Sequence, residues 1–138
     1  MNREKLYRLT FFLGYISVLV VTFVPVFGSL NTIEIGPGIF KIRLDFFLHF
    51  AVYFVICLYY LFGLRFGYTL FRKNAFPKFI SMVFLLAILT EVVQIWIPSR
   101  SFNIFDLLSN ISGIILGAIV IYGSKTDMCR DKSHDNKN

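Results

Sequence analysis

Residues 104–123 read IFDLLSNISGIILGAIVIYG, a 20-residue run with one charged side chain, Asp106, near its start. At about 1.5 Å of rise per residue, a helix of this length measures about 30 Å, the thickness of a bilayer's hydrocarbon core. Three further apolar stretches of similar length precede it, at 9–27, 46–64 and 76–97. Strand spans need about half as many residues, and four segments cannot close a barrel. The expected fold is therefore an all-α membrane protein, a bundle of four transmembrane helices filling residues 1–123.

The composition agrees. Of 138 residues, 57% are apolar, 18% aromatic and 16% charged, against roughly 25% charged in soluble domains. The net charge of +6 does not indicate nucleic acid, because no basic patch is interleaved with aromatics on a soluble surface. It reports orientation instead. Eleven of the fourteen Lys and Arg residues fall in the N-terminal segment (Arg3, Lys5, Arg8), the loop between the second and third spans (Arg65, Arg72, Lys73, Lys78) and the C-terminal tail (Lys125, Arg130, Lys132, Lys137). Only Lys41, Arg43 and Arg100 lie on the other side. By the positive-inside rule both termini are cytoplasmic. The first stretch is longer than a signal-peptide core and has no small-residue cleavage pattern after it, so it is expected to stay as a span. Residues 124–138, rich in Asp, Lys, Asn and Ser, are expected to form a disordered cytoplasmic tail, with His134 solvated in it. Trp96 on the outer side, and Tyr59, Tyr60 and Tyr122 on the inner side, suit interfacial aromatic belts. Gly36, Pro37 and Gly38 mark a turn in the outer loop between the first two spans. Neither Cys57 nor Cys129 has neighbours at metal-ligand spacing, and no cofactor or metal is expected.

The polar residues within or beside the spans all fall at one depth. Asp45 and His49 open the second span on its outer side, Glu91 and Gln94 close the third there, Arg100 lies in the outer turn, and Asp106 and Asn110 open the fourth. Asp45, His49 and Tyr53 follow one another at intervals of four, Glu91 and Gln94 are three apart, and Asp106, Asn110, Gly113 and Gly117 continue at four, three and four. Each set lies on one helical face. Ionisable groups in hydrocarbon need partners, so these are expected to converge on a single outer-facing pocket. Gly113 and Gly117 form a small-residue stripe that lets two helices approach closely. The bland alternative is a structural network: Asp45 as a helix cap, Asp106 paired with Arg100, Tyr53 as packing.

Taken in order, Asp45-x-x-x-His49-Phe50-x-x-Tyr53, Glu91-x-x-Gln94-x-x-x-Pro98-x-Arg100-Ser101 and Asp106-x-x-x-Asn110-x-x-Gly113-x-x-x-Gly117 resemble the VanZ-like family over 45–120. One departure is Phe46, where the family often has Lys after the first motif's Asp. The resemblance implies a small multi-pass protein of the bacterial cytoplasmic membrane, in a family whose founding member is linked to resistance to the glycopeptide teicoplanin.

Three functions fit. The first is binding or modulation of an envelope lipid, a lipid-linked wall precursor or a glycopeptide, through Asp45, His49, Tyr53, Glu91, Gln94, Arg100, Asp106 and Asn110. The second is an enzyme acting on a lipid-linked substrate, with His49 as general base, Asp45 or Asp106 orienting it, and Glu91 as acid or second base; a metal-assisted version would use His49, Glu91 and Asp106, although a single His is thin for zinc. The third, transport, is weakest, since the polar groups reach one side only. Neither ligand nor oligomeric state is legible in the sequence.

Overall fold

The computed structural model describes residues 2–22, 34–35, 42–96 and 103–135. Four helices make up almost all of it: α1 (Arg3–Thr22), α2 (Leu44–Arg65), α3 (Ala75–Gln94) and α4 (Ile104–Asp135). Between α1 and α2 lies a two-residue antiparallel ladder, β1 (Glu34–Ile35) and β2 (Ile42–Arg43), with Glu34 opposite Arg43 and Ile35 opposite Ile42. The Gly36–Pro37–Gly38 turn expected between them lies outside the described residues.

Among the described residues, three helical segments are long and apolar enough to cross a membrane: Leu44–Arg65, Ala75–Gln94 and Ile104–Lys125. Their ends fall close to the apolar runs of the sequence. The described part of α1 carries Arg3, Glu4, Lys5 and Arg8 in its first two turns, and the rest of the expected first span, 23–27, lies outside the described residues.

The surface is inverted relative to a soluble protein. Phe47, Val55, Phe62, Leu85, Ile88, Ile115 and Ile119 are exposed, whereas Asp45, Glu91, Gln94, Asp106 and Asn110 are buried. An apolar exterior of this extent in water would drive association. Against lipid it is the favourable arrangement, and polar groups turn inward to find partners.

Glycine sets the closest helix crossing. α4 packs intimately on α2, and a Cβ at Gly113 would collide with the Phe50 carbonyl while one at Gly117 would collide with the Cys57 side chain. Small residues therefore bring the two backbones together, as the stripe predicts. Gly67, at φ 72°, ends α2: its N–H bonds the Leu64 carbonyl at 3.2 Å and the Tyr68 N–H bonds Gly63 at 2.8 Å, a Schellman cap. Pro77 sits in the first turn of α3, where no intrahelical N–H is needed.

At the end of the bundle far from the buried polar residues, α1 is tied to the α2–α3 loop. Arg8 Nε donates to the Thr69 carbonyl at 2.7 Å, and the Thr69 hydroxyl donates to Glu4 Oε1 at 3.0 Å. The Thr69 hydroxyl and then the Arg8 guanidinium hold the Glu4 carboxyl below its usual range. The start of α1 and the α2–α3 loop therefore share one end, as expected from their basic residues.

One expectation is corrected. Tyr59 and Tyr60 do not form an interfacial belt: Tyr60 is buried and stacks on Phe79 at 4.2 Å, and Tyr59 stacks on Tyr7 at 4.9 Å. Stacked aromatic pairs of this kind add to the stability that their buried area provides. Trp96 and Tyr122 are exposed, at 78% and 68%. α4 is described as helix through 124–135. No Gly or Pro interrupts that segment, and elongating an existing helix avoids the cost of nucleation.

Candidate functional site

The first turn of α2 brings Asp45 to the inside of the bundle, and one turn on His49 lies on the same face. His49 Nε2 is 3.6 Å from Asp45 Oδ1. Its other ring nitrogen, Nδ1, is 3.0 Å from Asn110 Oδ1 on α4 and 3.7 Å from Glu91 Oε1 on α3. Asn110 Nδ2 in turn donates to Glu91 Oε1 at 2.9 Å. Three helices are thus joined through one imidazole, one amide and one carboxylate. Glu91 and Asn110 are almost wholly enclosed, at 1% and 0% exposed.

The proton positions follow from this geometry. An amide oxygen can only accept, so Nδ1 of His49 carries the hydrogen in the bond to Asn110. In the neutral ring, Nε2 then presents its lone pair on the Asp45 side.

Asp106 is set by the start of α4. Asn103 caps the helix: its side-chain oxygen accepts from the Phe105 N–H at 3.1 Å, and its Nδ2 donates to Asp106 Oδ1 at 3.2 Å. This Asn-x-x-Asp pattern is a variant of the capping box. It aims Asp106 inward, where ligand atoms of Asp45, His49 and Asp106 lie within 4.8 Å of one another. The metal-assisted set considered from sequence contained Glu91. The structure gives that place to Asp45, because Glu91 is engaged with Asn110.

Tyr53 and Gln94 complete the site. The Thr90 hydroxyl donates to the Ala87 carbonyl at 3.0 Å, so Tyr53 is the donor in its 2.9 Å bond to Thr90 Oγ1. Gln94 is 2% exposed, and its Nε2 has no hydrogen-bond partner among the described residues. A cavity of about 230 Å³ opens beside these groups, lined by the polar side chains of Ser17, Asp45, His49, Tyr53, Thr90 and Gln94 and by Val18, Val21, Leu48 and Val52. A second cavity of about 390 Å³ continues from it between α1 and α2, sharing Val18 and Val52 and running past Tyr15 and Ile56 to Tyr59.

Of the eight site residues expected from sequence, Asp45, His49, Glu91 and Asn110 meet directly, and Asp106 lies within 4.8 Å of the Asp45 and His49 ligand atoms. Tyr53 and Gln94 share the adjoining cavity with Asp45 and His49. Arg100, and with it the expected pairing to Asp106, lies outside the described residues. Thr90 and Asn103 were missed. Asn103 was legible as a cap three residues before Asp106, and Thr90 as the residue one turn before Gln94 on the same face.

A bundle of apolar-faced helices with polar groups gathered inside one end is the architecture of a small helical membrane protein. The VanZ/LLP1 family profile matches residues 9–125, most of the chain, and the protein belongs to that family. No curated protein and no solved structure matches the chain.

Proposed function

We propose that the polar layer of α2, α3 and α4 binds an amphipathic lipid or lipid-linked ligand of the cell envelope, with Asp45, His49, Gln94 and Asp106 at its headgroup and the α1–α2 groove along its chain. The observation that carries this reading is the pair of adjoining cavities. Asp45, His49, Tyr53 and Gln94 line the first together with valine and leucine, and the second, sharing Val18 and Val52 with it, runs between α1 and α2 past mostly apolar side chains. Binding sites are mostly apolar with a few placed polar groups, and a cavity that changes from polar to apolar along the bundle axis matches the join between headgroup and chain.

The basic residues favour an orientation with both termini in the cytoplasm. The polar layer then lies in the outer leaflet of the bacterial cytoplasmic membrane, where envelope lipids, wall precursors and glycopeptides are met. A role in teicoplanin resistance follows only if this chain shares the ligand of the family's founding member.

Native mass spectrometry of the gently purified protein tests the proposal. Wild type is expected to retain one lipid class that Gln94→Ala and Asp106→Ala lose while remaining folded. Identical lipid content in all three would contradict it.

A second reading has one specific observation in its favour. His49 is held at Nδ1 by Asn110 with Nε2 turned toward Asp45, the pose of an oriented general base. Catalysis on a lipid-linked substrate would then be abolished in His49→Ala with lipid binding retained.

A further inference from the structure

We propose that Asp45, His49 and Asp106 hold a divalent cation of the class that accepts mixed imidazole and carboxylate ligands, with Zn²⁺ as the ion that probes it. The site rests on its own geometry, and the lipid reading bears only on what the cation does.

The three residues offer one nitrogen and two carboxylate oxygens within 4.8 Å of one another. Two ligands each about 2.1 Å from one zinc ion at a tetrahedral angle stand about 3.4 Å apart, and His49 Nε2 to Asp45 Oδ1 is 3.6 Å. Three protein ligands with a fourth position open is the form of zinc sites that act on a further ligand.

The surroundings of His49 add a second observation. Metal-bound histidines commonly donate their other ring N–H to an oxygen that fixes tautomer and ring plane. Here Asn110 supplies that oxygen at 3.0 Å, and it is itself fixed by donating to Glu91 at 2.9 Å. In the neutral ring the relay leaves the Nε2 lone pair on the Asp45 side, where a cation can accept it.

The third observation is Gln94. Its enclosed Nε2, without a hydrogen-bond partner among the described residues, lines the same cavity as Asp45 and His49. It needs an acceptor oxygen. A phosphate offers such oxygens. A bound divalent ion inverts the local field, so one oxygen could coordinate the ion while another accepts from Gln94.

The test is a titration of full-length protein in lipid nanodiscs, stripped with chelator and then given Zn²⁺ alone, with bound metal read by equilibrium dialysis and elemental analysis. Wild type is expected to take up one Zn²⁺ per chain. His49→Ala and Asp106→Asn should bind it at least tenfold more weakly, and Asn110→Ala about 10–100-fold more weakly, the usual effect of losing an outer-shell partner. His134→Ala should bind as wild type does. The proposal is overturned if wild type takes up no stoichiometric metal, if uptake survives both His49→Ala and Asp106→Asn, or if it disappears with His134→Ala. Should the variants fail to fold, ¹⁵N spectra of wild-type His49 decide: Zn²⁺ should shift Nε2 and leave Nδ1 protonated, whereas a doubly protonated ring indifferent to zinc overturns the site. Lipid retention is measured separately, so loss of metal with lipid kept, or the reverse, distinguishes this site from the binding reading.

Discussion

His49 on α2 and Asn110 on α4 meet at 3.0 Å, and the same Asn110 amide donates to Glu91 on α3 at 2.9 Å. Asn110 can do both because one amide carries an acceptor and a donor. It joins both other helices of the polar layer through hydrogen bonds, and it is itself wholly buried.

Asn110→Ala should therefore destabilise the protein by about 1.5–3 kcal/mol, the loss expected when hydrogen bonds to a charged or buried group go unreplaced. Thermal unfolding in nanodiscs measures this. A variant as stable as wild type would mean the contact is incidental.

The α2–α4 crossing depends on missing side chains. Gly113→Ala places a methyl against the Phe50 backbone carbonyl, which cannot rotate away, and should cost about 1–3 kcal/mol through forced separation of the helices. Gly14 has nothing within 4 Å of an added Cβ. Gly14→Ala should be neutral or stabilise by up to about 1 kcal/mol through helix propensity. Comparing the two variants in one unfolding assay separates packing from propensity.

Tyr53→Phe removes only the donor to Thr90, whose own proton is already given to Ala87. A loss of about 0.5–1.5 kcal/mol is expected. If Tyr53 only joins α2 to α3, zinc uptake in Tyr53→Phe should match wild type, and a tenfold fall would place its hydroxyl at the ligand.

Single cysteines introduced at Asn2, Thr69 and Asn103 in a cysteine-free background test the topology. Asn2 and Thr69 should be protected from an impermeant thiol reagent in intact cells, and Asn103 labelled. The opposite pattern would turn the polar layer toward the cytoplasm and remove envelope ligands from consideration.

The lengths and faces of the helices were legible in the sequence because hydropathy and spacing are local properties. The run 46–64 became Leu44–Arg65, and the intervals from Asp106 through Asn110 to Gly113 and Gly117 gave the inward face of α4. What was hidden depends on helix rotation and packing. Sequence could not decide whether Asp45 or Glu91 would join His49 and Asp106, since that choice follows from Asn110 claiming Glu91 across the α3–α4 contact. Tyr60 was misplaced for the same reason. Its ring found Phe79, a neighbour 19 residues away that periodicity does not reveal.

Photo-cross-linking tests the central claim, that the polar layer and its groove form one lipid site. A photoreactive residue at Val52, on the wall shared by both cavities, is compared with one at Leu116, exposed on α4. The account predicts that Val52 captures a single lipid class, that Gln94→Ala abolishes this selectivity, and that Leu116 samples the bulk membrane. The same lipid mixture at both positions would contradict it.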